Sequence, residues 1–154
     1  MLERLTAADV REALEHLADD LTARSEDLRA LDAAIGDGDL GITITLGFAA
    51  VREELALLPA ADISTILMRA GMAFNRKAAS TFGALLATMG ARAARAAKGL
   101  DTLDLPGVAS LFEAAAEGVK ERGKSDVGQK TLLDALVPAA QALRAAAGKG
   151  AGLA

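Results

Sequence analysis

The chain has 154 residues, 52% hydrophobic and 25% charged, which bounds it to one globular domain over 1–154 and excludes a disordered chain. With no cysteine and His16 as the sole histidine, disulfides, thiol catalysis and multi-histidine metal centres within the chain are excluded. A net charge of −4 argues against nucleic acid as the partner.

No apolar run is long enough to span a bilayer, and the charged start MLERLTAADV lacks the apolar centre of a signal peptide, so the expectation is a cytoplasmic protein and no membrane. Alanine and leucine dominate the apolar content and favour helices. Thr6 and Asp9 make a capping-box pattern, and Val10, Leu14, Leu17 and Leu21 recur at helical spacing, predicting an amphipathic helix over 7–24. His16 falls off that stripe and reads as a solvated surface residue. A second helix is expected over 41–58, ended by Pro59. Asp62 caps the next, with Ile63, Ile66, Leu67 and Ala70 inward. The segment RKAASTFG interrupts before a helix over 84–98. Asp104 and Pro106 open another, running to about Glu121. After the polar loop RGKSDVGQ, the last helix carries Pro138 as a kink. The fold class is therefore an all-α antiparallel bundle of about six helices.

Three loops stand out: the aspartate turn, the Ser-Thr turn and the Gly-Lys loop. Each precedes a helix, with one helix between successive loops, so an up-and-down bundle would gather them on one rim.

The stretch LDAAIGDGDLGITITLGF sets Asp32, Asp37 and Asp39 within eight residues, interleaved with glycines. One aspartate there would be an ordinary helix cap. Three repel one another, and no basic residue lies closer in sequence than Arg29 and Arg52. A hard cation such as Mg²⁺ is the simplest counter-charge, and the following helix N-terminus would offer N–H donors to phosphates. The spacing is not an EF-hand, because Thr43 stands where the closing glutamate would be. Spacing alone leaves a metal-nucleotide site and a capped, solvated turn both open. Ser80, Thr81 and Gly83, and Gly123, Gly128 and Thr131, fit either reading.

These residues carry a resemblance. LDAAIGDGDLG resembles the aspartate motif of the nucleotide-binding L subunit of dihydroxyacetone kinases and of the equivalent C-terminal domain. RGKSDVGQKTLLDALVPA is similar to that family's RGK…GDKTMLDA segment. AGMAFNRKAASTFGALLA takes the place of its Gly-Gly-x-Ser-Gly loop. The likeness runs from about residue 5 to 145.

The resemblance implies an antiparallel helical barrel whose rim binds ADP or ATP through two Mg²⁺ ions. It implies Asp32, Asp37 and Asp39 as metal ligands. Leu40, Gly41, Ile42 and Thr43 would lie against the phosphates, as would Thr81 and Phe82, with Gly123 and Leu132 on the adenine side. No side chain of this chain is implied as a catalytic nucleophile. The sugar would sit on a separate K-type subunit, and the phosphoryl donor would be ATP or a phosphotransferase-system partner acting on held ADP.

The sequence departs from the family at Leu40 in place of its histidine, at Thr43 and Thr45 in place of Asn-x-Asn, at Phe82 in place of the loop serine, and at Gln129 in place of an aspartate. These suggest a subgroup acting on another short sugar, such as a tetrose. The chain is also expected to be C-terminally short, lacking the arginine and Asp-Pro-Gly turn of the family. One side of the barrel would then be uncovered, favouring a homodimer or a partner chain. The alternative reading is a non-catalytic metal-binding or scaffold module with an incomplete nucleotide site.

Overall fold

A computed structural model describes residues 3–153. It contains seven helices: α1 (Ala7–Ala23), α2 (Ser25–Ala33), α3 (Leu40–Ala56), α4 (Ile63–Lys77), α5 (Thr81–Ala96), α6 (Leu105–Gly123) and α7 (Leu133–Gly148). Among the described residues no strand forms beyond one isolated antiparallel bridge between Leu5 and Leu103. The all-α class expected from composition holds.

The helix starts obey local chemistry. Thr6 and Asp9 close the capping box on α1. Asp62, Ser80 and Asp104 each accept a hydrogen bond from the backbone N–H three residues on, at Thr65, Gly83 and Gly107. Pro106 sits in the first turn of α6, where its missing N–H costs nothing. Lys124 ends α6 in the left-handed region.

Several boundaries differ from the sequence reading. Residues 25–33 form a separate helix, so Asp32 sits on the last turn of α2 rather than in a flexible turn. Arg76 and Lys77 complete α4, and α5 begins at Thr81, because Ser80 rather than a later residue supplies the cap. Leu17 is 44% exposed, while Ala18 is fully buried and takes its place on the inner face beside Val10. His16 is exposed, as expected.

Packing follows chain order: α3 on α4, α4 on α5, α5 on α6 and α6 on α7, with α1 and α2 both against α3. Phe48, Phe74 and Phe82 link α3, α4 and α5 by edge-to-face contacts at 5.3 and 6.2 Å between ring centroids. A smaller apolar cluster joins Leu85 and Met89 of α5 to Val119 of α6 and Leu133 and Leu136 of α7. Between the helices lies an apolar cleft of about 270 Å³, edged by Leu17 of α1 and Phe112 of α6.

Candidate metal and nucleotide site

The three aspartates converge. Asp32, Asp37 and Asp39 each offer a carboxylate oxygen, and those oxygens all lie within 4.8 Å of one another. Asp32 is half-buried; Asp37 and Asp39 are exposed. Local bonds arrange them. The Asp39 N–H donates to Asp37 Oδ1, and the Leu40 N–H donates to Asp32 Oδ2, both at 3.3 Å. Gly38 turns the chain at a φ of 76°, which its lack of a Cβ permits. The Asp39 carboxyl is pushed above the usual aspartate value, first by the Asp37 charge and then by desolvation and Asp32. Oxygen donors crowded in this way suit a hard divalent cation.

The start of α3 adds donors. Its first-turn N–H groups at Asp39 and Leu40 are taken by the carboxylates, and that of Thr43 bonds Asp39 O. Among the described residues, those of Gly41 and Ile42 have no acceptor. Such N–H groups at a helix start are suited to phosphate oxygens. Gly41 is buried because α2 packs onto it: a Cβ there would stand 2.2 Å from Ser25 O. Ile42 is exposed and Thr43 half-buried. Thr45 spends its hydroxyl proton on Gly41 O at 2.9 Å, so it offers no donor to a ligand.

The start of α5 repeats the arrangement. Ser80 Oγ accepts from the Gly83 N–H at 3.0 Å, so Ser80 is an ordinary cap. The N–H groups of Thr81 and Phe82 have no acceptor among the described residues. Phe82 packs on Phe74, which in turn fills the space beside Gly47 of α3. Leu85 of α5 lies 3.9 Å from the position of a Cβ on Gly123. These contacts set Gly47, midway along α3, beside the α4 ring that meets Phe82 at the start of α5, and set Leu85 of α5 beside the end of α6.

In the third loop Gly128 and Thr131 take the capping alternative. Its Gly128 and Thr131 N–H groups donate to the two oxygens of Asp134, at 2.6 and 2.8 Å, and the Thr131 hydroxyl accepts from the Leu133 N–H. These bonds close the loop on itself. Gly123 is exposed at its edge, and Leu132 is half-buried against the second apolar cluster. Asp134 was not singled out as a site residue. Its signal was the Thr-x-x-Asp capping pattern at the head of α7.

The DAK2 domain matches residues 34–154. The chain is 36% identical over 131 residues to the ADP-binding subunit DhaL of the PEP-dependent dihydroxyacetone kinase of Escherichia coli, covering 85% of this chain and 62% of that one. It is 34% identical over 116 residues to the ADP-binding subunit DhaL of PEP-dependent dihydroxyacetone kinase 1 of Listeria innocua, covering 75% and 58%. It is also 33% identical over 141 residues to the D-erythrulose kinase of Mycolicibacterium smegmatis, covering 88% of this chain and 24% of that protein. The chain thus spans about three fifths of the length of the DhaL subunits it matches. With the family's match running over residues 34–154, which include Asp37, Asp39, both helix starts and the α6–α7 loop, the chain belongs to the DAK2 domain family.

Proposed function

We propose that residues 1–154 form one nucleotide-binding domain of a dihydroxyacetone-type kinase. In this reading Asp32, Asp37 and Asp39 hold two Mg²⁺ ions. Leu40, Gly41, Ile42 and Thr43 face the phosphates of ADP or ATP, as do Thr81 and Phe82. Gly123 and Leu132 flank the base. The convergence of the three carboxylates within 4.8 Å, beside a helix start with free N–H groups, carries the proposal. Bound Mg²⁺ would neutralise phosphate charge. The chain's own residues would position the ions and the phosphates, and no side-chain nucleophile is required.

The names of the relatives support ADP as the held nucleotide, since two of them are called ADP-binding subunits of PEP-dependent kinases. On that reading the acceptor sugar lies on a K-type partner subunit, and the phosphoryl group reaches ADP from a phosphotransferase-system donor. The likeness to a D-erythrulose kinase keeps a tetrose among the acceptors to be tested.

The test is thermal unfolding with Mg²⁺ alone and with Mg²⁺ plus ADP or ATP. A ligand that binds the native state raises the midpoint by mass action. We expect a rise with Mg²⁺ and a further rise with nucleotide, both lost in Asp37→Asn. A rise with Mg²⁺ alone would favour a metal-binding scaffold instead, and no response to either would refute the site.

A further inference from the structure

The loop between α6 and α7 is exposed, yet it is tied down throughout. Asp134 receives the Gly128 N–H on Oδ1 and the Thr131 N–H on Oδ2. Ahead of it, the Asp126 N–H donates to Gln129 Oε1 at 2.9 Å, and Asp126 pairs with Lys120 at 2.8 Å. Two non-glycine residues of the loop, Lys124 and Lys130, are held in the left-handed region at φ 49° and 56°. Such conformations persist only where the surroundings over-determine them, and they concentrate at functional sites. Lys124 takes that conformation at the end of α6, as many helices end, whereas Lys130 lies within the loop itself. Its C-terminal end, at Leu132, rests on the apolar cluster that Leu85, Val119 and Leu133 share.

We propose that Asp134 is a positioning residue for the nucleotide end of the site. It locks the α6–α7 loop into a preformed wall on the Gly123 and Leu132 side without touching nucleotide or metal. This rests on the nucleotide reading given above. A wall ordered in advance removes an ordering cost from binding. Release of the Asp134 bonds moves that cost to the binding step and weakens nucleotide affinity, while leaving Asp32, Asp37 and Asp39, which share no hydrogen bond with this loop, as they are.

Two variants test this. Asp134→Asn keeps the size but turns one accepting oxygen into a donor that faces an N–H. Gly128→Ala loosens the same loop without changing charge. Gly128 has φ 91° and no neighbour within 4 Å of an added Cβ, so the substitution brings backbone strain and no clash. The measurements are the Kd for ADP at saturating Mg²⁺, the midpoint rise with Mg²⁺ alone, and hydrogen exchange at the Gly128 and Thr131 amides. We expect both variants to weaken ADP about tenfold, as the ordering cost of the loop moves to the binding step. The amides exchange faster, and the Mg²⁺ response matches that of the parent chain. ADP affinity equal to the parent, with faster exchange, overturns the inference. Loss of the Mg²⁺ response together with ADP binding shows general damage and overturns it as well. If Asp134→Asn does not fold, Gly128→Ala decides alone. A parent chain that binds Mg²⁺ but no ADP refutes the nucleotide reading itself, and is told apart because parent and variants then agree.

Discussion

The backbone N–H of Leu40 donates to Asp32 Oδ2 across eight residues, at 3.3 Å. This bond joins the last turn of α2 to the first turn of α3 and sets the first carboxylate against the other two. The space around Asp32 is close as well. A Cβ on Gly36 would fall 2.5 Å from Asp32 Oδ1. We therefore expect Gly36→Ala to swing the Asp32 carboxylate aside, with a tight contact left against Asp32 O, 3.0 Å from the same Cβ. Affinity for Mg²⁺, read by calorimetry, should fall about tenfold or more, as for groups that orient metal ligands. Unchanged affinity would place Asp32 outside the ion site.

Asp37→Asn separates repulsion from binding. The Asp37 charge is the main cause of the raised Asp39 carboxyl. Without Mg²⁺, removal of that charge should leave the midpoint unchanged or raise it. With Mg²⁺, the rise seen in the parent chain should vanish. A variant that still responds fully to Mg²⁺ would contradict the ligand assignment.

Glu54 is the one buried charged side chain among the described residues. It bonds Arg69 through Nε at 2.6 Å and Arg76 at 2.9 Å, tying α3 to α4. Hydrogen bonds from Arg76 and then Arg69 hold its carboxyl below the ordinary glutamate value of 4.5, against the effect of burial. Because the folded value is depressed, this stabilisation is present above pH 4.5 and lost as pH falls through the lowered value. Glu54→Gln should cost about 2 kcal/mol near neutrality, since the arginines left behind can reach water. The difference from the parent should shrink in acid. Denaturant melts at neutral and acidic pH measure both, and a constant difference would show that the carboxylate charge is not what matters.

Gly47 lies where α3 meets the buried ring of Phe74. A Cβ there would approach Phe74 ring atoms at 2.3 to 2.5 Å, inside any tolerable contact. Gly47→Ala should destabilise the chain by about 1–3 kcal/mol through overpacking. It should also disturb Phe82, which packs on the far side of Phe74. Chemical denaturation gives the first effect. A weaker ADP response beyond that due to stability gives the second. A neutral variant would mean that α3 and α4 can part without cost.

Local chemistry was the legible part. The helical class followed from alanine and leucine. The caps at Thr6, Asp62 and Asp104 could be placed because a cap oxygen and the N–H that donates to it lie within one turn of each other. Ser80 stood next to a break that the sequence marked, though α5 began three residues earlier than expected. Asp32, Asp37 and Asp39 were conspicuous because charge and glycine spacing are sequence properties.

Packing decided the rest. Periodicity put Leu17 inward, but the side of α1 that meets its neighbours is set by what covers it, and Ala18 is the residue buried there. Nothing near Glu54 in sequence announces its arginines, which arrive from 15 and 22 residues away on another helix. The sequence by itself determined that this is a helical protein with three carboxylates crowded before a helix. Only the tertiary structure decided that Asp32 rides on its own helix and which residue of α1 is buried. It alone decided that the third loop is closed by Asp134. The physical reason is range: caps and charge clusters act within about two turns, whereas exposure and partners such as those of Glu54 depend on helices far apart in the chain.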